Sequence, residues 1–280
     1  MAWSCVCPKT STDMARVDPG LVEIIGRWIE RADAKGPPPI LGIAGSQGSG
    51  KSTLAHVVAE RFGCAALSLD DVYLARAERQ ALAARVHPLF ATRGPPGTHD
   101  LGLLNRVLDQ LRSAGPGDAT PLPRFDKLAD DRKPEADWPV FPGRPVAIIL
   151  EGWCLGAQPQ TQAMLASPIN ELERTQDADG RWRGEINDGL AGGYADLTAR
   201  LDRLVFLQAP DFARVLDWRS EQEAGLLGVT SLPPERRAAI ADFVRFYERL
   251  TRHMMDGGIA ADFTATLDPD RHPVAITGRL

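Results

Sequence analysis

Residues Gly45-Ser46-Gln47-Gly48-Ser49-Gly50-Lys51-Ser52 fit the phosphate-binding pattern G-x-x-x-x-G-K-[S/T] without a gap. Glycines at this spacing let backbone N–H groups turn inward around phosphate oxygens, and the N-terminus of a following helix adds partial positive charge. Lys51 is placed to reach the β and γ phosphates of a nucleotide, and the Ser52 hydroxyl to ligate Mg²⁺. Lysine is scarce here, with five among 32 basic residues, so Lys51 stands out. The predicted ATP contacts run from Gly45 through Thr53.

Carboxylates at the ends of apolar runs form a second group. Glu151 follows Val146-Ala147-Ile148-Ile149-Leu150 and is a candidate to hold the Mg²⁺ shell with Ser52, although Gly152 after it also suits an ordinary turn. Asp70 and Asp71 close the run Cys64 to Leu69, and phosphoryl transfer to an alcohol benefits from a carboxylate that accepts the hydroxyl proton. Neighbours on an extended strand point opposite ways, so one aspartate faces the acceptor and the other is free to cap the next helix. His99, Asp100, Arg124 and Lys127 are candidates to orient the acceptor. Asp100 also suits the N-cap of a helix carrying Leu101, Leu104, Val107, Leu108 and Leu111, whereas Arg124-Phe125-Asp126-Lys127, flanked by proline, suits a small anion. Arg214 and Arg219 either close over the transferring phosphoryl group or pair with Asp217, Glu221 and Glu223 along a helix.

Elements that position these groups are visible in the periodicity. Strands are predicted at Ile40–Ala44, Cys64–Leu69, Val146–Leu150, Leu204–Leu207 and Phe263–Leu267. Helices are predicted after the phosphate loop to Phe62, at 76–86, from Leu101, and around 187–201, 211–226 and 233–255. This alternation predicts a parallel sheet covered by helices on both faces. Residues 1–36 read as an N-terminal tail and helix. Residues 37–280 read as one domain, with acceptor loops at about 88–145 and a lid at about 210–232. The segment 115–145 is polar, proline-rich and unpatterned.

A net charge of −5 argues against a broad nucleic-acid or anionic-membrane surface. No apolar run approaches a membrane span and no basic-then-apolar leader opens the chain. Cys5, Cys7, Cys64 and Cys154 show neither a disulfide framework nor paired metal-ligand spacing, with Cys5 and Cys7 read as free thiols in the tail. A cytoplasmic location and a small-molecule substrate are expected.

Taken in order, Gly45 to Thr53, Ser68-Leu69-Asp70-Asp71-Val72-Tyr73, Arg93 to Asp100, Pro123 to Lys127, Leu150-Glu151-Gly152-Trp153 and Trp218 to Glu223 resemble the D-glycerate 3-kinase family. That family is related to phosphoribulokinase, uridine kinase and pantothenate kinase. The resemblance covers about residues 40 to 230. It implies an α/β P-loop NTPase three-layer fold, with a mostly parallel sheet flanked by helices and a helical lid. The implied reaction is ATP plus D-glycerate giving 3-phosphoglycerate and ADP, with Mg²⁺ as cofactor. By resemblance Asp70 is the catalytic base and Glu151 the metal-shell acid, with Lys51 and Arg219 completing the catalytic set. Asp71, His99, Asp100, Arg124 and Lys127 are the candidates to bind the hydroxy acid. Phe125 departs from the tyrosine expected there in many glycerate kinases. A uridine- or pantothenate-type kinase and an ATP-gated regulatory protein remain as alternatives.

Overall fold

The computed structural model describes residues 17–33 and 35–280, so Cys5 and Cys7 lie outside the described residues. Helix α1 (Pro19–Glu30) starts at Asp18, whose carboxylate accepts from the Leu21 N–H at 3.0 Å. Strand β1 (Ile40–Gly45) is buried at every residue, and α2 (Lys51–Phe62) ends at Gly63, whose φ of 68° suits a left-handed helix stop. Next come β2 (Ala65–Ser68), α3 (Arg76–Arg85), α4 (Leu101–Ser113), β3 (Ala119–Pro121), β4 (Phe125–Asp126), β5 (Asp131–Arg132) and β6 (Val140–Pro142). The remainder contains β7 (Ile148–Glu151), α5 (Gln162–Leu165), α6 (Glu171–Gln176), α7 (Arg181–Ala191), α8 (Gly193–Ala199), β8 (Arg203–Gln208), α9 (Phe212–Leu227), α10 (Pro234–Met255), β9 (Phe263–Leu267) and β10 (Pro273–Gly278).

The main sheet has the order β10-β9-β8-β1-β7-β2, parallel throughout except for β10, which runs antiparallel to β9. One face packs Leu104 and Leu108 of α4, Leu197 of α8 and Leu250 of α10 against Ile40, Ile148 and Leu204. The other packs Ile25 of α1, Leu54 and Val58 of α2 and Val215 of α9 against Leu41, Ile149 and Val205. Each such side chain contributes about 1.5–3 kcal/mol on removal from water, so both helical layers are held by the strands' alternating faces. The result is a three-layer α/β P-loop NTPase fold with a largely parallel sheet. Among the described residues no helix is long and apolar enough to cross a membrane.

Three expectations change in detail. Segment 115–145 is not unstructured: β3 pairs with β6 and β4 with β5, in antiparallel ladders too short to leave a period in the sequence. The helix expected around 187–201 is divided at Gly192, which leaves helical geometry at φ −105° and ψ −112°. The first turns of the expected lid belong to the core, because Val215 and Trp218 are fully buried.

Candidate active site

Strand β1 delivers its chain directly into the phosphate loop. Gly50 adopts φ +91°, and a Cβ there would meet nothing within 4 Å, so its requirement for glycine is conformational rather than steric. Gly48 is constrained both ways: its φ is +77°, and a Cβ there would lie 2.6 Å from Cβ of Trp218. The hydroxyls of Ser46 and Ser49 and Oε1 of Gln47 are buried without a hydrogen-bond partner. Such orphaned polar groups are costly unless something fills the loop. Lys51, Ser52 and Thr53 form the first turn of α2.

Pairing of β7 with both β1 and β2 puts Glu151 opposite Ile43 and Ser68. Its Oε1 accepts from the Ser52 hydroxyl at 2.9 Å and the Ser68 hydroxyl at 2.6 Å, while Oε2 is buried and unpartnered. A hard divalent cation prefers such oxygen donors, so the Ser52–Glu151 pair fits Mg²⁺. Ser68 was not anticipated, because its approach to Glu151 depends on strand register.

Asp70 and Asp71 lie in a one-turn 3₁₀ helix (Leu69–Val72), not on an extended strand. The opposite-face expectation therefore fails, and both engage the segment 124–127. Asp70 accepts from the Tyr73 hydroxyl on Oδ1 and from Lys127 Nζ on Oδ2, each at 2.7 Å. Burial alone would raise its pKa, but the Lys127 and Lys51 charges and these two bonds prevail and hold it well below the ordinary carboxylate range. Asp71 accepts from the Phe125 N–H at 3.2 Å and from Arg124 at 3.1 Å. Burial pushes its carboxyl up to about 6 against the opposing Arg124 charge. It does not cap α3, where Glu78 instead accepts from the Ala75 N–H.

His99 is buried and stacks on Tyr73 with ring centroids 4.7 Å apart. Its Nδ1 bonds the Tyr194 hydroxyl, and its Nε2 has no partner. Burial lowers its pKa from 6.5 to about 4, against the attraction of Asp70. Because the folded value lies below the unfolded one, this imidazole withdraws stability as pH falls from about 6.5 to about 4. The ¹⁵N resonances of His99 are expected to stay those of a neutral ring from pH 5 to 8. A midpoint above 6 would contradict the buried environment.

Asp100 caps α4 through Leu103 N–H at 2.8 Å and pairs with Arg132 at 3.1 Å, which places it in the frame of the site. Arg219 is buried and bonds Gln222 at 3.0 Å and Glu223 at 3.3 Å. Arg214 pairs with Asp217.

Two supporting clusters had no local signal in the sequence. Arg79, with no exposed surface, donates to Leu74 O at 2.7 Å, Asp130 O at 3.1 Å and Asp130 Oδ2 at 2.6 Å. Arg93 pairs with the other oxygen of Asp130, and both guanidiniums lie about 5.5 Å from the Phe125 ring centroid. Together they fasten the β4–β5 hairpin beside Asp70. Behind the phosphate loop, Arg271 at φ +73° donates to Gly48 O at 2.7 Å, pairs with Glu221 and covers the Trp218 ring.

No family model matches the chain. It is 35% identical over 221 residues to the uncharacterized kinase mug58 of Schizosaccharomyces pombe, covering 74% of this chain and 78% of that protein. It is 28% identical over 253 residues to the probable ATP-dependent kinase TDA10 of Saccharomyces cerevisiae, covering 79% of each. In fold it is similar to a D-glycerate 3-kinase from Cryptococcus neoformans, with a TM-score of 0.71 at 22% identity over 93% of this chain and 99% of that one. The chain belongs to the family of the kinase mug58, has the P-loop NTPase fold, and is an ATP-dependent phosphotransferase.

Proposed function

We propose that the acceptor is D-glycerate and the product 3-phosphoglycerate. The observation that carries this reading is the meeting of the neighbouring carboxylates Asp70 and Asp71 with two cations, Lys127 on Asp70 and Arg124 on Asp71, supplied by one anchored segment. A hydroxy acid needs both a base for its hydroxyl and a cation for its carboxylate, and a guanidinium matches a carboxylate's geometry. The neutral, buried His99 offers a hydrogen-bonding nitrogen without adding charge.

In this reading residues Gly45 to Thr53 cradle the phosphates of ATP, and Lys51 offsets the charge of the transferring phosphoryl group. Ser52 and Glu151 hold Mg²⁺, which when bound neutralises phosphate charge. Asp70 takes the acceptor proton. Arg219 serves as a closing cation only by loosening its bonds to Gln222 and Glu223, so its contribution belongs to a closed form in which the part of α9 beyond Trp218 rearranges. Asp100 acts at a distance, by fixing Arg132 and the start of α4.

ADP release with ATP and Mg²⁺ should respond to D-glycerate and not to L-glycerate, uridine or pantothenate, with a phosphoglycerate mass in the product. ADP release indifferent to all four would remove the glycerate assignment. Arg124→Ala is expected to raise KM for D-glycerate by about 10- to 100-fold with kcat little changed, because it deletes a charge-assisted hydrogen bond of about 1.5–3 kcal/mol. An unchanged KM would take the carboxylate away from Arg124.

A further inference from the structure

The candidate base is occupied at both oxygens. Tyr73 donates to Oδ1 and the Lys127 ammonium to Oδ2, each at 2.7 Å. A carboxylate paired in this way holds a proton weakly, which makes it a poor acceptor for one from an alcohol. On the side of the 124–127 segment the charges are matched pair by pair, Lys127 with Asp70 and Arg124 with Asp71. An entering acceptor anion adds a negative charge, which Arg124 can meet with Nε and Nη2 while its Nη1 stays on Asp71, whereas Lys127 reaches it only by leaving Asp70.

The surroundings indicate which pair opens. The backbone of the Lys127 segment is fixed: Asp130 is gripped by Arg79 and Arg93, Arg93 also donates to Lys127 O at 3.4 Å, and Asp126 accepts from the Leu128 and Ala129 N–H groups. Lys127 is thus a flexible four-carbon stem on a rigid hairpin, with a point charge that changes partner without losing a two-pronged geometry. Arg124 is more committed, since its Nη1 also donates to Pro123 O and its partner Asp71 takes the Phe125 N–H as well.

We propose that Lys127 gates the base: without an acceptor its ammonium blocks Asp70, and the carboxylate of an acid acceptor draws it away and leaves Oδ2 open to the hydroxyl. The proposal rests on the reading of Asp70 as the base. Once Oδ2 is open, the hydroxyl proton passes to Asp70 while the oxygen lone pair forms the bond to the γ phosphorus of ATP. The bond from that phosphorus to the β,γ-bridging oxygen breaks, its electron pair leaves with ADP, and Asp70 then gives its proton to solvent. Only an acceptor that carries an anion arms the site. Water and neutral alcohols, which cannot displace Lys127, are left unphosphorylated, so ATP is spared.

The test measures ADP release by wild type and Lys127→Met with no acceptor, with glycerol, with glycerol plus formate, and with D-glycerate, with circular dichroism to confirm folding. Lys127→Met is expected to raise the acceptor-free and glycerol rates by about tenfold, within the range a general base supplies. Formate, acting as a detached carboxylate, is expected to raise glycerol phosphorylation in wild type and not in the variant. Asp70→Asn added to Lys127→Met should erase the gain. If Lys127→Met leaves the acceptor-free and glycerol rates at wild-type level and changes only KM for D-glycerate, Lys127 binds the carboxylate without gating and the proposal is overturned. Should wild type use no hydroxy acid at all, the glycerate reading fails by itself. The gate is then decided on acceptor-free ADP release, where a rise that depends on Asp70 supports it and no rise refutes it. Lys127→Gln replaces the methionine variant if that one does not fold.

Discussion

Asp70→Asn is expected to lower kcat by about 10²- to 10⁴-fold, the usual contribution of a positioned general base, while ATP binds within about twofold of wild type. Asparagine preserves the shape and can still accept the Tyr73 hydroxyl bond, but its amide takes no proton from an alcohol. Asp70 makes no hydrogen bond to the phosphate loop, since its partners are Tyr73, Lys127 and, through its backbone N–H, the Ser68 hydroxyl. Loss of turnover and retention of nucleotide should therefore separate cleanly. Steady-state kinetics with a parallel ATP titration checks this, and a kcat within about threefold of wild type would remove Asp70 from the proton path.

The largest effect on stability is expected from Arg79→Met. Methionine fills the space, yet Asp130 loses its buried partner and the carbonyls of Leu74 and Asp130 lose their donor. Removing one member of a buried ion pair costs about 3–5 kcal/mol, and the lower end applies because Asp130 keeps Arg93. At roughly 2–4 °C per kcal/mol for a chain of this size, Tm should fall by about 6–12 °C. Asp130 is at φ +55°, uncommon outside glycine, so a released hairpin is also expected to relax and raise the acceptor KM. A melting curve within about 2 °C of wild type would mean that the hairpin is held by something else.

What the sequence made legible follows the range of the interactions. The phosphate loop is contiguous, its glycines are dictated by local backbone geometry, and its flanking strand and helix carry their own periods, so Gly45 to Thr53 could be read directly. The strand end carrying Glu151, and the place of Asp70 just beyond a strand, were legible for the same reason. The orientation of Asp70 and Asp71 was not, since a single 3₁₀ turn replaces the extended geometry assumed for them. Arg79 looked like any other arginine on an amphipathic helix, and only the approach of Asp130, 51 residues later, gives it a role. Strand β10 escaped notice because its residues are mostly exposed at the sheet edge and supply no buried stripe. Arg271 was equally silent, because its bond to Gly48 spans 223 residues.

The strand order also bears on how the chain is made. Strand β1, fully buried in the finished protein, has β7 and β8 as its neighbours, and both follow it by more than a hundred residues. At synthesis rates of about 5–20 residues per second, β8 emerges roughly 8–30 s after the phosphate loop. Until β7 emerges Ile40 to Gly45 is an apolar segment with neither of its strand neighbours, and until β8 follows it has only one of the two. Fragments ending before residue 203 lack β8 and are therefore expected to gain no protection from ATP, so their tendency to aggregate should be the same with and without it.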